Sequence, residues 1–165
     1  MIDKQAYMLR ISQAGPAQMV VINFEIIIDY LGSAKKIAIA ATTSEHMDDF
    51  RADIQKAKNG LDELIASLNL ETPLALGFYE IYKYIYKRIS DVHYTLDTKK
   101  AIEALNEVLE LLNTLLIGWQ ETAKKEPQEE PQGGNAPKVY AGLTYSKNGQ
   151  ANEYVEESSG RDYMA

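Results

Sequence analysis

At 165 residues, 45% of them apolar, the chain fits one domain with a continuous core. Its net charge of −7 argues against a general nucleic-acid binder, because neutralising phosphates takes a basic face and none is visible. There is no cysteine, so disulfides and thiolate metal sites are excluded.

The opening, Met1-Ile2-Asp3-Lys4-Gln5, lacks the basic and apolar regions of a secretory signal. The most apolar run, residues 19–28, is interrupted by Asn23 and Glu25 and ended by Asp29. It falls short of the ~20 apolar residues a membrane span needs, and a cytoplasmic protein is expected. A short helix is predicted over about residues 3–13, then a long one from Pro16 to about 41. The next follows Thr42-Thr43-Ser44-Glu45, which has the capping-box pattern, and ends near Asn69. Its apolar positions Met47, Phe50, Ile54, Ala57, Leu61, Leu64 and Leu68 keep a 3-4 spacing. Thr72-Pro73 reads as a cap followed by a first-turn proline, opening a helix with Leu74, Phe78, Ile81, Ile85, Ile89 and Val92 on its core stripe. The last helix starts at Asp97 and carries Ile102, Leu105, Leu109, Leu112, Leu116 and Trp119.

No proline interrupts the helical pattern between Gly15 and Lys125, whereas Pro127, Pro131 and Pro137 fall together in EPQEEPQGGNAP. Three parts follow: a helical bundle over 1–125, a flexible linker over 126–137 and a tail over 138–165. The fold class is all-α. Short connections between long amphipathic helices favour an antiparallel up-down four-helix bundle with a short N-terminal helix in front. In the tail, VYAGLTY alternates with Val139, Ala141, Leu143 and Tyr145 on one side if extended, and Asn148-Gly149 is a hairpin signal. That tail reads as a hairpin or an extended segment docking on the apolar groove of the bundle or of a neighbouring molecule, or else as a disordered tail or recognition peptide.

Two helices carry more apolar surface than one stripe requires. On the first long helix Val20, Phe24, Ile27, Leu31, Ala34 and Ala38 already supply a stripe. Val21, Ile28 and Ile39 flank it on one side and Met19, Ile26, Tyr30 and Ile37 on the other, an arc of roughly 200° where about 100° suffices. Either this helix is central, or one flank is covered by the N-terminal helix or by a partner. Tyr79, Tyr82 and Tyr86 similarly adjoin the core stripe of their helix, as a core margin or a binding strip. Arg88 falls within that stripe and calls for an acidic partner on a neighbouring helix.

Catalytic signatures are missing. His46 and His93 are the only histidines; neither belongs to a Glu-x-x-His pair, and both read as surface or edge residues. Neither a phosphate-binding glycine loop nor a nucleophile motif is present. The expectation is a binding protein, not an enzyme, with no cofactor and no metal.

Read in order, the segments resemble the FliS family, the export chaperones of flagellin. Phe78-Tyr79-Glu80-Ile81-Tyr82-Lys83-Tyr84 and Lys87-Arg88-Ile89 are similar to that family's Leu-Tyr-x-Leu-Tyr-x-Tyr run and its Arg-Arg-Leu ending. Glu63-Leu64, Ser67-Leu68-Asn69, Glu107-Val108-Leu109, Leu111-Leu112 and Trp119 match further positions, as do Ala6-Tyr7 and Pro16 at the front. The resemblance spans about residues 5–124. It departs at Gln13-Ala14-Gly15-Pro16, where the family pattern is Thr-Ala-Ser-Pro, and at Asn23-Phe24-Glu25-Ile26-Ile27, where it is Leu-Tyr-Asp-Gly-Ala.

The resemblance implies an apolar groove that wraps the C-terminal disordered region of flagellin and prevents premature polymerisation. Together with the surplus apolar surface it puts Met19, Ile26, Tyr30, Tyr79, Tyr82 and Tyr86 at that groove. It also implies that the N-terminal segment including Tyr7 covers part of it when no client is bound. The flagellar export gate and a second copy of the chain are further partners to consider; nucleic acid and membrane insertion are not expected. The alternative reading is a generic helical interaction or regulatory bundle acting on another axial or signalling partner.

Overall fold

The computed structural model describes residues 3–41 and 47–126. These form five helices and no strand: α1 (Lys4–Gln13), α2 (Pro16–Ala40), α3 (Met47–Ala66), α4 (Pro73–His93) and α5 (Thr98–Lys124). Of the sequence expectations, the capping box at 42–45, His46, the linker beyond Glu126 and the whole tail lie outside the described residues.

The helix starts follow from local chemistry. The first amides of a helix have no intrahelical acceptor, and a short polar side chain just ahead of them can supply one. Asp3 does so for α1, its Oδ1 accepting from the amides of Gln5 and Ala6 at 3.1 and 3.2 Å. Thr72 Oγ1 accepts from Ala75 at 3.2 Å with Pro73 beginning α4, and Asp97 Oδ1 accepts from Lys100 at 3.1 Å.

α2 begins differently. Gly15 stands at its cap position and contributes no side chain. The acceptor comes instead from Glu126, just past the end of α5 and 109 residues from Ala17 in sequence. Its carboxylate accepts from Ala17 N at 2.7 Å and from Gln18 N at 3.3 Å. Pro16 has no amide proton, and the amide of Met19 already donates to Gly15 O at 2.9 Å, so every amide of that first turn is accounted for. The site is tight: a Cβ at residue 15 would lie 2.8 Å from Glu126 Oε2.

α2 packs against both α3 and α5, α4 packs against the same two helices, and α1 lies on α2. This central position explains the broad apolar arc of α2, where Phe24, Ile27, Leu31 and Ala34 are wholly buried. Phe50, Ile54 and Leu61 of α3, Tyr82, Ile85 and Ile89 of α4, and Leu105, Val108 and Leu112 of α5 complete the core. The early part of α4 meets the late part of α5 through Phe78 and Trp119, whose ring centroids are 5.7 Å apart. The late part of α4 meets the early part of α5 through Arg88, whose Nη2 donates to Glu107 Oε2 at 2.6 Å. Among the described residues α2 is the one helix long and apolar enough to cross a membrane by length and composition. Nine of its side chains are buried within the fold, as a core helix requires.

His93 departs from the surface or edge position expected of it. It is 6% exposed, stacks on Tyr94 with centroids 4.5 Å apart, and its Nδ1 has no hydrogen-bond partner. Burial lowers its pKa, with the nearby cations of Lys58 and Arg51 adding to the effect. In the unfolded chain the imidazole binds a proton at its ordinary value of about 6.5, whereas the folded protein resists doing so. Stability is therefore full above that value and is lost as pH falls through the lower folded value. The melting temperature should decline between pH 7.5 and pH 5, and His93→Phe should flatten that decline; an equally steep decline in the variant would place the titrating group elsewhere.

Candidate functional site

α1 is held to α2 by polar contacts. Tyr7 Oη donates to Asp29 Oδ2 at 2.6 Å, and Arg10 Nη1 donates to Glu25 Oε2 at 2.5 Å. Burial first, and then the Asp29 carboxylate, push the Tyr7 phenol above its ordinary pKa; the Glu25 hydrogen bond raises that of Arg10. No residue of α1 is fully buried, and Met8 and Leu9 are 69% and 62% exposed. Exposed ion pairs contribute at most about 1 kcal/mol each, so α1 is attached weakly.

Beneath this attachment α2 presents an apolar strip. Met19, Ile22, Ile26 and Tyr30 recur at helical spacing on the side that carries Glu25 and Asp29. Ile22 is fully buried yet stands apart from the main core, while Met19, Ile26 and Tyr30 are half-buried. The strip is thus the apolar face that α1 crosses.

The predicted tyrosines do not join this strip as one surface. Tyr82 is a core residue, 0% exposed, with its ring 6.0 Å from that of Phe24 and 5.9 Å from that of Phe78. It cannot line an open groove. Tyr79 and Tyr86 are half-buried, each with a lysine over its ring: Lys83 Nζ at 4.9 Å and Lys58 Nζ at 5.0 Å. Tyr30 has Lys56 Nζ at 5.1 Å. Residues 56 and 58 point about 200° apart around α3, so Tyr30 and Tyr86 lie along opposite flanks of that helix. Met19, Ile26 and Tyr30 form one surface, and Tyr79 and Tyr86 another.

Arg88 finds its acidic partner in Glu107, which also accepts from Tyr84 Oη. These donors, Tyr84 foremost, hold the Glu107 carboxyl below its ordinary pKa, and the same bond raises that of Tyr84. With its side chain 33% exposed, Arg88 sits at the margin of the core and not within the stripe.

Sequence reasoning missed a third feature. Leu74 and Phe78 of α4 and Thr114, Leu115, Gly118, Trp119 and Thr122 of α5 line an apolar cleft of about 240 Å³. Its one sequence signal was a glycine in the middle of an otherwise strong helix, Gly118. Among the described residues no three His, Cys, Asp or Glu side chains stand together as a metal site would require.

Apolar strips, ring-capped tyrosines and a loosely attached terminal helix define a helical module whose surfaces suit another polypeptide. Residues 3–126, about three quarters of the chain, match the family described as flagellar protein FliS, and the chain belongs to that family. Membership points to a flagellar chaperone role and to a flagellar protein as partner. No curated protein matches the chain.

Proposed function

We propose that this protein is a cytoplasmic export chaperone that holds the C-terminal disordered region of flagellin and so prevents polymerisation before secretion. The helices form an antiparallel up-down bundle, a reading supported by the Phe78–Trp119 and Arg88–Glu107 contacts at opposite ends of α4 and α5. The client occupies the strip of Met19, Ile22, Ile26 and Tyr30, with Tyr79 and Tyr86 offering a second contact surface beyond α3. The observation that carries this reading is α1: a helix without one buried side chain, fastened by two polar contacts across an apolar strip. Such a cover shields the strip from water and can be displaced, because its attachment is weak.

Calorimetry with flagellin and with flagellin lacking its C-terminal segment tests the client. The intact protein should bind with a clearly negative heat-capacity change, since the segment orders as it buries apolar surface. Equal affinity for the truncated protein would overturn the assignment. The cover has its own test, because a ligand's apparent affinity is its intrinsic affinity scaled by the fraction of open sites. Tyr7→Phe with Arg10→Ala removes both fastenings, each contributing roughly 0.5–1 kcal/mol, and should tighten client binding about five- to thirtyfold. Weaker binding in that variant would make α1 part of the binding surface and not its cover.

A further inference from the structure

The cleft between α4 and α5 is a surface apart from the strip under α1. Leu74 at its edge is 37% exposed. Thr114 and Thr122 donate their hydroxyls to the Glu110 and Gly118 carbonyls of their own helix, at 3.0 and 3.2 Å, so the lining is effectively apolar. Gly118 is its most informative residue. Glycine inside a helix is destabilising relative to alanine. Here no positive φ requires it, and a Cβ built there would meet nothing within 4 Å. What the glycine leaves is room.

The position of Glu126 says what can enter that room. Residues 115, 119, 122 and 126 follow one another at helical spacing, so the cleft runs along α5 towards the point where the described chain ends. There the Glu126 carboxylate is fixed to the amides of α2. Residues 127–165 begin at that fixed point. The far end of the cleft, Thr114, lies about 18 Å back along α5. Twelve residues of Pro/Glu/Gly-rich linker reach ~40 Å extended and have a coil dimension of ~20 Å. The first apolar residues after that linker are VYAGLTY, residues 139–145.

We propose that residues 139–145 of this chain dock in the Phe78–Trp119 cleft, with Leu143 filling the space above Gly118. The small size of the cleft favours this occupant over a separate molecule. Stable association between free proteins takes an interface above roughly 1,000 Å², whereas a tethered segment has an effective concentration in the millimolar range and can be held by a small site. The tail is in this way stowed along α5 at a distance from the α1 cover.

A cysteine-free chain permits a direct test in the full-length protein, with no client present. Thr122→Cys and Ala141→Cys, introduced together so that Gly118 stays open, should form an intramolecular disulfide about tenfold faster than a control pair of Asp62→Cys on α3 and Ala141→Cys, which reports the tether alone. Adding Leu143→Asp to the first pair should return its rate to that of the control. Equal rates for the two pairs, a rate insensitive to Leu143→Asp, or a disulfide formed only between two chains would overturn the proposal. None of these outcomes depends on whether flagellin is the client.

Discussion

Tyr82→Ala should be among the most damaging substitutions in the chain, costing about 3–5 kcal/mol in urea denaturation. The ring is fully buried between Phe24 and Phe78, and α2, α3 and α5 all contribute side chains to the same core. Removing it leaves a cavity that rigid helices close only in part. The neighbouring tyrosines give the contrast. Tyr79→Ala and Tyr86→Ala remove half-buried rings and a cation–π contact each, and should cost about 1 kcal/mol. They should act on client binding more than on folding, whereas Tyr82→Ala acts on folding. If Tyr82→Ala cost no more than Tyr79→Ala, the three residues would form one surface strip after all.

The displacement of Tyr82 from groove to core shows where sequence periodicity stops being informative. Hydrophobicity alone selects Leu74, Phe78, Ile81, Ile85, Ile89 and Val92 as the stripe of α4. The buried positions are Ala75, Tyr82, Ile85, Ile89, Val92 and His93, with Ile81 half-buried at the margin. Ile85, Ile89 and Val92 are thus buried as expected. In the first half of the helix the stripe is rotated by a fraction of a turn, because α4 contacts both α3 and α5 and its apolar face is broad. Within a broad face, hydrophobicity does not say which of two adjacent residues points inward. His93 is buried against expectation for the same reason, since it lies beside Val92 at the end of that face. Helix starts at Thr72-Pro73 and Asp97 are legible because capping joins residues only two or three apart. The fastening of α1 is legible only in part. Tyr7 can be named, while its partner Asp29 and the Arg10–Glu25 pair join residues 22 and 15 apart. The acidic partner of Arg88 can be anticipated as a type, but naming Glu107 requires the packing of α4 on α5.

Glu126 is the clearest case of local sequence misleading. Pro16 reads as a helix start, and the glutamate at position 126 reads as the first residue of a flexible linker. Together they form one cap. Glu126→Ala should therefore cost about 1–2 kcal/mol, the usual loss when a helix cap is removed, because the amides of Ala17 and Gln18 lose their acceptor. Gly15→Ser should change stability little. A Cβ at residue 15 comes within 2.8 Å of Glu126 Oε2 and so displaces that flexible carboxylate, while the new hydroxyl can take over the same amides. The two caps are alternatives for one set of donors, and this fixes the outcome of the double mutant. In the Gly15→Ser background, Glu126→Ala should cost close to nothing, giving a coupling energy of about 1–2 kcal/mol between residues at opposite ends of the helical domain. Strict additivity would mean that Glu126 stabilises the fold by some route other than the start of α2. Coupling of the expected sign would mean that the α1–α2 junction and the origin of the C-terminal segment are held by the same carboxylate. If residues 139–145 dock along α5 as proposed, a force that draws them away would loosen the first turn of α2, next to its junction with α1.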